Sequence, residues 1–132
     1  MSALQTYAHP VGRILMALIF IIAGFGKLGD VQGFAGYMAS GGIPAILAWP
    51  AVLFEILGGL ALLVGFMTSP VALALAAFSV VTAFLFHFDM GNQIQQILFL
   101  KNLAMAGGYL VLAAHGAGAL SVDERLSRSA LA

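Results

Sequence analysis

Ten of the 132 residues carry a formal charge, five basic and five acidic. Five of these, with one histidine, combine a titratable side chain with an apolar setting: Arg13, Lys27, Glu55, His87, Asp89 and Lys101. Glu55 sits near the middle of an apolar run, where a lone carboxylate either takes up a proton or finds a cation. Lys27 falls about 12–15 Å away along the axis at helical rise. Arg13 is nearer in depth, and its planar fork suits a bidentate bond to a buried carboxylate. The spacing therefore predicts an Arg13–Glu55 contact. Such a pair either fixes helix register or serves a ligand-binding or proton-linked role, and the residues themselves leave both readings open.

Lys27, His87, Asp89 and Lys101 form a second group, falling at the ends of apolar runs that would meet at one mouth of a bundle. Three groups able to carry positive charge around one carboxylate suit an anion or a carbonyl oxygen. Phe84, Phe86, Phe88 and Phe99 would add aromatic surface for a flat ring such as a quinone, with His87 or Lys101 donating to its carbonyl. The plainer reading is two lysines snorkelling beside an aromatic belt. His9, His87 and His115 have no i, i+4 spacing among them, so no metal site is expected. There is no cysteine, which excludes disulfides, thiolate nucleophiles, Cys-ligated zinc and iron–sulfur clusters. A redox role would need a bound cofactor or a partner protein.

The elements that must position these side chains follow from composition. Ordinary soluble domains carry about 25% charged residues; here the figure is 8%, with 62% hydrophobic residues and a mean hydropathy of +1.07. A water-soluble globule of this length could not cover its surface with so few charges, so the principal partner is the lipid bilayer. Zero net charge leaves no electrostatic footprint for nucleic acid.

Charges and Pro/Gly breaks divide the chain into four apolar runs, at about 7–27, 45–66, 71–88 and 97–115, followed by a tail at 116–132. A run of 22 residues crosses a hydrocarbon core of about 30 Å. The first run lacks an A-x-A-like site after it and reads as a span rather than a signal peptide. Thr68-Ser69-Pro70 predicts an N-cap at Ser69 with Pro70 in the first helical position. Val31, Phe34 and Met38 at i, i+3, i+7 predict a short interfacial helix between the first two spans. Ser121-Val122-Asp123-Glu124 has capping-box spacing and predicts a short terminal helix.

Each span shows a small or polar seam, the pattern by which helices associate in lipid. The seams run through Arg13, Ala17, Phe20, Gly24 and Lys27; Ala51, Glu55, Gly58, Gly59 and Leu62; Ala72, Ala76, Ser79, Ala83 and His87; and Lys101, Met105, Gly108, Leu112 and His115. The expected fold is an all-α, integral-membrane, antiparallel four-helix bundle forming one domain. An even number of spans puts both termini on one side. Arg13, Arg125 and Arg128 there against Lys27 and Lys101 opposite favour the cytoplasm for the termini.

Arg13 with Gly24-x-x-Lys27, Glu55-x-x-Gly58-Gly59 with Gly65, His87, Lys101-Asn102 and Gly116-x-Gly118-x-x-Ser121-x-Asp123 occur in that order over nearly the whole chain. In this it resembles the DoxX family of small bacterial inner-membrane proteins. The resemblance implies a four-helix protein of the inner membrane with Arg13, Lys27, Glu55 and Lys101 at the family's polar positions. It also implies a link to quinone-coupled oxidation of sulfur compounds or to oxidative-stress assemblies, in which partner proteins supply most redox centres. The leading expectation is a quinone- or small-anion-binding membrane component of a redox system, not an enzyme on its own. The alternatives are a small carrier or channel that switches Glu55, for which a homodimer is expected, and a scaffold without ligand.

Overall fold

The computed structural model describes residues 2–132. Its elements are the helices α1 (Ala3–Leu28), α2 (Val31–Ser40), α3 (Ala48–Val64, led in by a single 3₁₀ turn at Ala45–Leu47), α4 (Thr68–Phe86), α5 (Gln93–His115) and α6 (Val122–Ala130). The lead-in turn with α3, together with α1, α4 and α5, gives four helical segments long and apolar enough to cross a membrane. The fold is an all-α, antiparallel four-helix membrane bundle with a short helix between the first two spans.

Local chemistry sets the helix ends. Ser2 and Gln5 form a reciprocal capping box that starts α1 at Ala3, several residues before its apolar run begins. Asn92 accepts from the N–H groups of Ile94 and Gln95 and starts α5 at Gln93. Gly65, at φ 72°, closes α3 in the left-handed conformation that costs glycine nothing. A Cβ there would also press on Ser121 Cβ at 2.5 Å.

The expected cap at Ser69 is not the one used. Helix α4 begins at Thr68, and the side chain of Asp123, contributed by the tail, accepts from the N–H groups of Met67 at 2.7 Å and Thr68 at 2.9 Å. A carboxylate at a helix N-terminus satisfies otherwise unpaired donors and meets the positive end of the helix dipole. Ser121 does cap α6, accepting from Glu124 N–H at 3.2 Å. The Glu124 side chain pairs with Arg128 instead of returning to Ser121.

Helix α1 packs chiefly on α3, and α4 on α5. The α1–α3 contact is close because glycines meet isoleucines in both directions. A Cβ on Gly24 would lie 2.6 Å from Ile56 Cγ1, and one on Gly59 would lie 2.7 Å from Ile21 Cγ1. The two pairs meet around Ala17, Phe20, Leu62, Leu75, Ala106 and Tyr109, and the Tyr109 hydroxyl donates to Met16 O at 2.8 Å.

The inward seams expected for α1, α3 and α4 are largely those observed. That of α5 differs: its buried residues are Asn102, Ala106, Tyr109 and Leu112. Lys101, Met105 and Gly108 sit on the flank of this stripe, and His115 is exposed.

Candidate functional site

The buried carboxylate of Glu55 is held by Lys27, not Arg13. Lys27 Nζ donates to Glu55 Oε2 at 2.8 Å and Oε1 at 3.0 Å, and lies 5.2 Å from the centre of the Phe34 ring. The contact with Arg13 is therefore overturned, and helix register supplies the reason. Gly24 of α1 lies against Ile56 and Glu55, and Arg13 lies beside Gly65. Gly65 is ten residues from Glu55, about 15 Å along the helix. Side chains on a helix lean toward its N-terminus, so Lys27 reaches back one turn to the level of Gly24 and meets the carboxylate there.

This pair borders a cavity of about 700 Å³ between the helices, within the range typical of ligand sites. Lys27, Glu55, His87 and Lys101 all line it, so four of the six residues singled out in the sequence come together. Asp89 does not. It is exposed in the α4–α5 loop and accepts from Gly91 N–H. His87 Nδ1 makes a 2.8 Å hydrogen bond with Gln95 Oε1 across the same loop. Among the described residues Lys101 has no carboxylate within ion-pair distance.

Three polar residues of the cavity wall were not among those candidates. Asn102 Nδ2 donates to Thr82 Oγ1 at 3.1 Å and to Ser79 O at 3.3 Å, joining α5 to α4. Thr82 in turn donates to Phe78 O at 2.8 Å, and Ser79 to Leu75 O. An amide in a span is a sequence signal for an interhelical hydrogen bond, but beside Lys101 it was overshadowed by the charge.

The aromatic surroundings also differ from expectation. Phe84, Phe88 and Phe99 cluster on one another, with ring centres 5.1–5.5 Å apart, and do not line the cavity. Phe86 does, stacked on Tyr37 of α2 at 5.5 Å. Phe20, Phe34, Phe54 and Phe78 supply the remaining ring faces. Alternate positions near the end of α4 point in different directions, so a run of phenylalanines divides between cavity and lipid.

Arg13 works at the opposite end. Buried to 4% exposure, it donates from Nη1 to Ala117 O and from Nη2 to Leu120 O at 2.9 Å, strapping the 116–121 segment across the bundle. Asp123 N–H donates to Gly65 O at 2.9 Å. Partial burial works to raise the Asp123 carboxyl, but the N–H groups of Thr68 and Met67 and the charge of Arg13 outweigh it and hold the group below its ordinary value of 3.8. Among the described residues, no three His, Cys, Asp or Glu side chains gather as a metal site would require.

The fold and site define a class of protein: a multi-pass helical membrane bundle enclosing a buried ion pair beside an interior cavity. The DoxX family model matches residues 9–88, and the chain belongs to the DoxX family. It is 41% identical over 128 residues to Inner membrane protein YqjF of Escherichia coli (strain K12), covering 97% of this chain and 98% of that protein. It is 38% identical over 122 residues to Inner membrane protein YphA of the same organism, covering 87% of each. No solved structure matches the chain.

Proposed function

We propose that the cavity binds a small ligand with a carbonyl or anionic head, and that the chain is a multi-pass inner-membrane binding subunit of a redox or oxidative-stress system. The observation that carries this reading is Lys101. Lys27 is neutralised by Glu55, whereas the ammonium of Lys101 adds an uncompensated positive charge to a mainly apolar cavity. Such a charge within a membrane span is costly until an acceptor meets it. A quinone offers carbonyl oxygens on a flat ring, dissolves in the bilayer and suits walls built from Phe20, Phe54, Phe78 and Phe86.

Placement in the inner membrane is supported by the names of the two relatives. The charge balance supports termini on the cytoplasmic side. Electrons would come from a partner protein, since the sequence has no cysteine to carry them. A carrier that switches Glu55 is less supported, because both carboxylate oxygens are already held by Lys27.

An experimental structure of the protein purified from its native membrane tests the reading. Density with a polar atom within hydrogen-bond reach of Lys101 Nζ is expected. A cavity filled only by lipid chains, with Lys101 turned out toward the membrane surface, would overturn it.

A further inference from the structure

The cavity is not closed on the lipid side. Several of its wall residues are exposed on the outer surface of the bundle: Val81 and Leu85 of α4 are each 53% exposed and Leu47, just before α3, is 47% exposed. Ala74 and Ala77, in the middle of α4, are also exposed and also line it. Helices α3 and α4 are joined by a tight turn at Gly65–Met67 yet pack on other partners, α3 on α1 and α4 on α5. At mid-span the seam between them is filled only by side chains, Phe54 against Phe78 with ring centres 5.0 Å apart and Leu75 against Gly58.

A second, almost wholly apolar groove of about 870 Å³ runs along the same seam toward the turn, between Leu57, Ala61 and Val64 on one side and Pro70 and Val71 on the other. The two spaces share Phe54 and Ala74 as walls. From Phe54 to Val64 the groove follows ten residues of helix, about 15 Å at helical rise. It thus adjoins the cavity across Phe54 and Ala74, with Lys101 at the polar end of one space and lipid beside the other.

We propose that α3 and α4 form a lateral portal and that the ligand is a membrane-dissolved amphiphile. Its carbonyl or anionic head lies at Lys101, and its hydrocarbon tail lies in the α3–α4 groove. This deepens the ligand-binding reading and rests on it. Charge complementarity at Lys101 and the shared wall argue for one molecule with two ends rather than a head group in one space and unrelated lipid in the other. Within a bilayer a tail gains nothing by leaving water, so affinity alone does not reveal it and position must be read directly.

The test uses the full chain in lipid nanodiscs with two photoreactive benzoquinones, one bearing the diazirine on the ring and one at the far end of a decyl tail. Adducts are mapped by peptide, with excess unlabelled decyl-quinone as competitor. The ring probe is expected to label the cavity in a competable way, and the tail probe residues 57–64 and 70–74. Ala74→Phe, at an exposed position that leaves the core intact, should remove most competable tail adducts. Ring labelling that persists beside tail adducts scattered over lipid-facing positions and indifferent to Ala74→Phe would overturn the portal and leave the ligand reading standing. Absence of competable labelling by either probe would overturn both.

Discussion

At the residue scale, two assemblies of charged side chains lie toward opposite ends of the bundle. Lys27 and Glu55 make the interior one. Removing one member of a buried pair leaves the other unmatched, whereas replacing both with apolar groups is often neutral. Glu55→Met alone should cost about 3 kcal/mol, the lower end for a buried pair because Lys27 keeps partial exposure. Lys27→Met/Glu55→Met should recover most of that loss in a reversible detergent-unfolding cycle; equal loss in single and double variants would show that packing, not charge, dominates.

Arg13 and Asp123 make the other assembly. Because the folded Asp123 carboxyl lies below its ordinary value of 3.8, its contribution is complete above that value and is lost as pH falls through the depressed one. Below about pH 4 the tail should become protease-sensitive before the bundle unfolds. Asp123→Asn should make the tail equally sensitive at pH 7 and at about pH 2, and a wild-type tail protected over that whole range would argue against this anchor. Arg13→Lys, which cannot present a fork to Ala117 and Leu120, should also loosen residues 116–132 in hydrogen exchange.

At the scale of elements, most of the bundle was legible because small and polar residues are scarce enough to mark the inward face of each span. Gly24 and Gly59 marked the α1–α3 seam correctly. They also predict a contrast. Gly24→Ala and Gly59→Ala should each destabilise by about 1–3 kcal/mol, since the added methyl meets an isoleucine and its backbone and overpacking costs this much. Gly107→Ala, with nothing within 4 Å of its Cβ, should be neutral or gain up to about 1 kcal/mol from helix propensity. Equal losses at all three positions would show that the seam is not tightly packed.

The errors have equally specific causes. On α5 the inward face was set by placing Lys101 on the seam, whereas the amide of Asn102 takes the buried position and the lysine flanks it. On α1, depth was counted from the ends of apolar runs, which hides both helix register and the backward lean of Lys27. The Asp123 cap joins residues 55 and 56 apart, a distance no local capping signal spans.

At the scale of the molecule, two helix pairs are pinned at one end by the strap of residues 116–123, and at the other α2 covers the cavity with Phe34, Tyr37 and Met38. The fold places the Lys27–Glu55 ion pair against a mainly apolar space, with Lys101 beside it lacking a carboxylate partner among the described residues. Trp49, the single tryptophan, is next in sequence to Pro50, a wall residue of the cavity. The most direct measurement is benzoquinone titration of Trp49 fluorescence in nanodiscs for the wild type and Lys101→Met. Saturable quenching in the wild type that weakens to the non-saturable, collisional level in Lys101→Met is predicted. Identical titrations for the two proteins would contradict it.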